Sequence, residues 1–309
     1  MYAFVLHAHQ KIDRAAWRSL RELSATPNAF PNIKEILHFE GANGPDAPKF
    51  KKHGDQPWHF VDPFNRDDTA LDAIIEEHYH ALVQALKHGD RVSTSFEAAW
   101  LAHAIVDGLT PAHHYPYEEK LEDVRGEDRR SRTTLASRAI VKGETTGDSI
   151  RRSFKIVGPK GLLTTHAMFE AGAYMAIAPS RISKGVPSEA QAADVLRLGV
   201  VTYFRRTARE IADLDMYGRF YQTGWTPTLA RETRHELVPR MVMCVALAWY
   251  AALVEAGLVE QADARRPSGP KPRRSKTAPK DKADKPKNNA TRHASTQSTR
   301  PATAKRTKP

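Results

Sequence analysis

At 309 residues with 40% apolar side chains, the chain is long enough for one large domain or two ordinary ones, and apolar enough to bury a core. A single cysteine, Cys244, excludes an internal disulfide and the cysteine-rich zinc sites, so any metal must be held by His and carboxylates. The net charge of +11 belongs to the end of the chain: Arg265 to Pro309 carries 15 Lys or Arg against Asp281 and Asp284, a local excess of 13, which leaves residues 1–264 at −2.

The first residues, Met1 to Leu6, are apolar but short and lack a basic lead, so no signal peptide is predicted and a cytoplasmic location is expected. No stretch is expected to reach the length of a transmembrane helix. A first helix starts around His7-Ala-His9. Residues 67–88 repeat Leu71, Ile74, Ile75, Leu82, Val83 and Leu86 at helical spacing and stop at His88-Gly89. Residues 94–107 continue the pattern. A charged stretch, 115–158, reads as a long, partly helical insertion, and further helices are predicted over 160–177, 188–216 and 228–257. No run alternates as a strand would, so the fold class is all-α. The domains expected are a helical body over 1–260 and a disordered Lys, Pro, Ala and Thr-rich tail over 261–309, which has no aliphatic larger than Ala to bury. Such a cationic tail can associate with nucleic acid or an anionic membrane, or simply solubilise the chain.

His103-Ala-Ile-Val-Asp107-Gly-Leu-Thr-Pro-Ala-His113 concentrates metal-binding side chains. On a helix, His103 and Asp107 project from one face, and Gly108 and Pro111 end the helix so that His113 turns back toward it. A carboxylate between two imidazoles is a ligand arrangement suited to zinc. Four further segments carry candidate ligands: His166 and Glu170 at helical spacing, His59 in Trp58-His59-Phe60-Val61-Asp62-Pro63, Asp46 in a turn-rich loop, and His9. Each has a plain alternative. His9 can be a helix-start residue, His59 an aromatic neighbour of Trp58 and Phe60, Asp46 a turn former, and His166 with Glu170 a surface pair.

Taken together, their order and spacing resemble the zinc-dependent phospholipase C and P1/S1 nuclease superfamily. His9-Gln-Lys-Ile12 fits its His-x-x-Ile start, and Asp46 precedes His59-Phe-Val-Asp-Pro63 by thirteen residues. His103, Asp107, Pro111 and His113 fit its His-x3-Asp-x5-His segment, and His166 and Glu170 fit the His-x3-Glu of the phospholipase branch. The match spans roughly residues 3–175 and the helices to 257. The resemblance implies an all-helical domain with two or three Zn2+ in a cleft. It implies Asp46, His59, His103 and Asp107 on one zinc, His113, His166 and Glu170 on a second, and His9 with Asp107 on a third. Asp107 would bridge, and Asp46 would also serve as catalytic base. In secreted relatives a terminal Trp completes the third site; here Met1 or His7 would stand in. The interval from His113 to His166 exceeds the family's, which the 115–158 insertion accounts for.

What the resemblance implies about activity is a phosphoric-ester hydrolase, phospholipase C-like, acting on a phospholipid. The alternatives are a nuclease or other phosphodiesterase or phosphatase, with Trp17, Trp58 and Trp225 as base platforms, and a non-catalytic metal-binding relative with a polyanion-binding tail.

Overall fold

The computed structural model describes residues 2–23, 28, 30–41, 43–46, 58–126, 141, 143–179, 181, 182 and 185–259. Met1, residues 127–140 of the expected insertion and the whole expected tail lie outside the described residues. The body, Met1–Arg265, is one compact unit. Among the described residues it is all-helical, as expected.

The helices are α1 (Tyr2–Leu23), α2 (Ile33–His38), α3 (Ala70–His88), α4 (Arg91–Gly108), a 3-10 turn (Pro111–His114), α5 (Tyr117–Arg125), α6 (Thr146–Val157), α7 (Leu162–Ile177), α8 (Glu189–Leu198), α9 (Val200–Ala212), α10 (Met216–Thr223), α11 (Pro227–Glu232), a π-turn (Thr233–Leu237) and α12 (Val238–Glu255). The expected 188–216 helix is broken at Gly199, whose φ of +84° is open to glycine but strained for other residues.

α12 is the axis of the core. Val242, Val245, Leu247, Trp249 and Leu253 are fully buried against α1, α3, α4, α8 and α9, and Trp249 Nε1 donates to Ala98 O at 3.0 Å. The continuous helical segment Pro227–Glu255 is, by length and composition, apolar enough to cross a membrane, contrary to expectation, and most of its apolar stretch is buried inside the protein. The reason is that an axial helix meets neighbours on every side and so has no polar face.

α4 is buried over most of its second half, from Ala98 to Gly108 apart from Trp100, so every polar group it carries there needs a partner. Its neighbour α1 is tied across the molecule: Lys11 Nζ donates to Ile177 O and Ala178 O at the end of α7, at 2.7 and 2.8 Å. These carbonyls are among those a helix C-terminus leaves without intrahelical donors. The charged segment 115–158 contributes α5 and α6, which close a satellite core of Phe60, Tyr117, Leu121, Val141 and Ile156 beside α7.

Candidate metal centre

Local structure aims each donor. α1 buries His9. Asp90 caps the N-terminus of α4, accepting from Val92 N and Ser93 N at 3.1 Å, and the helix carries His103 and Asp107 one turn apart. α4 ends at Gly108, and Asp107 O, one of its last carbonyls, accepts from Thr110 N at 2.9 Å. The same carbonyl accepts from His113 Nδ1 at 2.9 Å, which leaves His113 Nε2 pointing away. The adjacent His114 donates instead to Gly108 O at 2.9 Å, and burial pulls its pKa down to about 4, so it is a neutral packing residue.

Two donor groups result, of similar build. His9 and His103 stack at 4.3 Å and 16°, and their Nε2 atoms lie 3.2 Å from Asp107 Oδ1 and Oδ2 respectively. Asp46, also buried, brings a carboxylate oxygen within 4.8 Å of donor atoms of both. In the second group His113 and His166 stack at 5.0 Å and 13°, and their Nε2 atoms lie 3.2 and 3.1 Å from Glu170 Oε1. Asp107 also reaches toward the second group, its Oδ1 lying 3.9 Å from His113 Nδ1.

The arrangement departs from the expected ligand sets in two ways. His9 joins Asp46 and His103 directly, because the stacking of α1 and α4 imidazoles brings it onto the same carboxylate. His59 joins neither compact group; its ring sits 4.9 Å from His113 and lines the cleft with His103 and Asp107. His7 is exposed, 6.1 Å in ring distance from Tyr174.

Two residues of the site were not expected from the sequence. Glu40, fully buried, accepts from His103 Nδ1 at 2.9 Å and lies 3.7 Å from His9 Nδ1. A tight turn puts it there: Gly44 N donates to Gly41 O, and a Cβ at Gly44 would collide with the backbone of Glu40. Asp13 lies one turn beyond His9 on α1, buried with both oxygens unpartnered. Burial, with Glu40 nearby, pushes its carboxyl well above the usual range. The signal for Asp13 was in the sequence: His9 and Asp13 repeat the four-residue spacing of His103 with Asp107 and of His166 with Glu170.

The electrostatics ask for cations. Among the described residues no Lys or Arg forms an ion pair with Asp13, Glu40, Asp107 or Glu170; the last three pair with imidazoles, and Arg14 acts on Asp13 only from a distance. Burial pushes the Asp107 carboxyl up, but His103 and His113 outweigh this and hold it well below its ordinary value. Burial likewise opposes the charge of His103, and Asp107 and Glu40 reverse that and raise its pKa well above the ordinary imidazole range. Buried carboxylates without Lys or Arg partners, and imidazoles converging on shared oxygens, could hold a metal ion.

The cleft over the first group is walled by Trp58, Trp100, Ile74 and Pro45, with His78 at one side. His78 Nδ1 is 2.7 Å from Glu97 Oε2, Trp58 Nε1 donates to Phe60 O at 2.7 Å, and Trp100 stacks on Phe96 at 4.8 Å. Of the three expected aromatic platforms only Trp58 lines this cleft. Trp17 donates to Pro31 O at 3.1 Å, and Trp225 stacks on Phe169 at 5.3 Å. α9 anchors the loop that follows His59. Arg205 bonds Asp72 through Nε at 2.8 Å and reaches the carbonyls of Asp62, Asn65 and Asp68, while Arg209 Nε donates to Pro63 O at 2.7 Å. Together they lock the loop that presents His59.

Comparison of the chain with family models, with curated proteins and with solved structures found no match.

Proposed function

We propose that the chain is a metal-dependent phosphoric-ester hydrolase, phospholipase C-like, with zinc as the cofactor. The observation that carries this reading is the Asp107 carboxylate, held between His9 and His103 at 3.2 Å on either oxygen and adjoining the His113, His166 and Glu170 group. His9, Asp46 and His103 would hold one ion and His113, His166 and Glu170 a second, with Asp107 shared and His59 completing the cleft side. Bound ions would acidify a shared water and brace phosphate oxygens.

The protein's own residues do the rest. Asp46, next to His9 and His103, accepts the proton of the attacking water as general base. Glu40, by accepting from His103 Nδ1, commits that imidazole to presenting Nε2 as a neutral donor atom. Trp58, Ile74 and Trp100 line the cleft beside the first group and would present an apolar wall to a lipid ester.

A nuclease is the second reading, favoured by the two indoles lining the cleft, on which a base can stack. Phosphocholine release from phosphatidylcholine, set against cleavage of single-stranded DNA, separates the two. Less than one metal ion per purified chain removes the hydrolase reading, and metal without hydrolysis of either ester leaves the non-catalytic relative. Asp107→Asn should abolish hydrolysis and cut metal content, whereas unchanged loading would mean the cluster is centred elsewhere. Deleting residues 265–309 should leave hydrolysis of a small soluble phosphodiester intact.

A further inference from the structure

α6 turns outward the side that a helix of a globular domain normally buries. Ile150, Phe154 and Val157, spaced to share one face, are 65%, 62% and 45% exposed, and Leu163 at the start of α7 is 38% exposed. The helix is fixed in this rotation. Ile156 is fully buried in the satellite core, Ser153 Oγ accepts from Val141 N at 3.1 Å, and Ser149 Oγ accepts from Gly143 N at 2.8 Å. Thr164 Oγ1 donates to Val157 O at 3.0 Å, joining the stripe to Leu163. Residues 146–163 carry Arg151, Arg152, Lys155 and Lys160 against one acid, Asp148, which pairs with Arg151 at 3.1 Å and Arg152 at 2.7 Å, so this segment is net positive although residues 1–264 are net negative. Arg151, Lys155 and Lys160 are exposed beside the apolar stripe. α6 packs on α7, and Leu163 stands one turn before His166.

We propose that the face formed by Ile150, Phe154, Val157 and Leu163 docks on an anionic lipid bilayer, with Arg151, Lys155 and Lys160 against the headgroups. Charge selects this occupant. A second copy pairing through the same face would set cation against cation, whereas an apolar stripe edged with Lys and Arg matches the boundary between anionic headgroups and acyl chains. Docked this way, the helix that bears His166 and Glu170 lies at the lipid surface. The inference rests on the hydrolase reading for its purpose but not for its test.

Full-length protein is sedimented with vesicles of phosphatidylcholine alone and of phosphatidylcholine with phosphatidylglycerol. Ile150→Ser with Phe154→Ser should weaken binding to the mixed vesicles about tenfold or more, because affinity scales with apolar area inserted. Arg151→Glu with Lys155→Glu should remove the preference for phosphatidylglycerol. Metal content and hydrolysis of a soluble phosphodiester should stay at the parent level in both. Binding that the serine variant leaves unchanged, carried by the basic tail alone, overturns the proposal. So does parent self-association that Phe154→Ser abolishes. As a check independent of folding, Phe154→Trp should shift its emission to the blue on mixed vesicles, and an unshifted spectrum counts against insertion. If the parent hydrolyses no phosphodiester yet binds vesicles through this face, the docking stands and the hydrolase reading falls.

Discussion

Glu40 and His103, 63 residues apart in the chain, meet through one buried hydrogen bond of 2.9 Å from Nδ1 to Oε1. The bond settles which imidazole nitrogen faces Asp107. It also places a negative charge behind the ring, which raises its basicity as a ligand. Glu40→Ala should therefore lower metal affinity about 10- to 100-fold, with Glu40→Gln nearer the lower end because its carbonyl oxygen can still accept. Titration of chelator-treated protein with zinc measures this. Equal affinity in Glu40→Ala and the parent would show that the contact orients nothing.

Arg205 joins α9 to the loop carrying His59 through a carboxylate and three backbone carbonyls. Arg205→Met should cost about 2–3 kcal/mol, since it leaves Asp72 half-buried without its cation and the carbonyls without a donor. Arg205→Lys should recover only part of this, because a point charge cannot reproduce the planar fork. Urea unfolding of the three proteins orders them, and a Lys variant as stable as the parent would refute the multivalent role.

Cys244 lies in the middle of α12, 2% exposed, and burial pushes its thiol up to about 12. The folded protein should resist iodoacetamide at pH 8 and react at once in denaturant. Because the folded pKa lies above the ordinary thiol value of 9.0, this group's contribution to stability is intact below pH 9 and is lost as the pH rises toward 12. Thermal unfolding of Cys244→Ala should accordingly fall less steeply than that of the parent across this range.

Trp100 forms a wall of the cleft beside His103 and Asp107. Trp100→Ala should raise KM for the ester by about tenfold, the scale of one lost aromatic contact, while metal content stays at the parent level. A fall in metal content would reassign Trp100 to holding the fold of the cluster.

The parts of the site that follow from local geometry were legible in the sequence. His103, Asp107 and His113 needed only helix periodicity and a stop, and His166 with Glu170 only the four-residue spacing. Long-range relations were not legible. Glu40 carries no signal of its own until the chain folds it beneath His103, and the place of His59, lining the cleft with His103 and Asp107 and 4.9 Å in ring distance from His113, depends on the loop that Arg205 and Arg209 clamp. The break at Gly199 escaped because apolar periodicity continues through it. The helix expected over 228–257 appears as Pro227–Glu255, unbroken by its π-turn and Pro239, but its apolar stretch is longer than the expectation that none would reach transmembrane length.

The donors around Asp107 come from α1, the turn at Asp46, α4, the turn at His113 and α7. Ions held by the two groups would fasten distant stretches of chain together, and an unfolded chain offers no such grip. Occupancy would therefore be folding free energy: free ion at a hundred times its dissociation constant would add about 2.7 kcal/mol to the folded state. The cell's supply of that ion would set how much of this protein persists, as well as how much of it works.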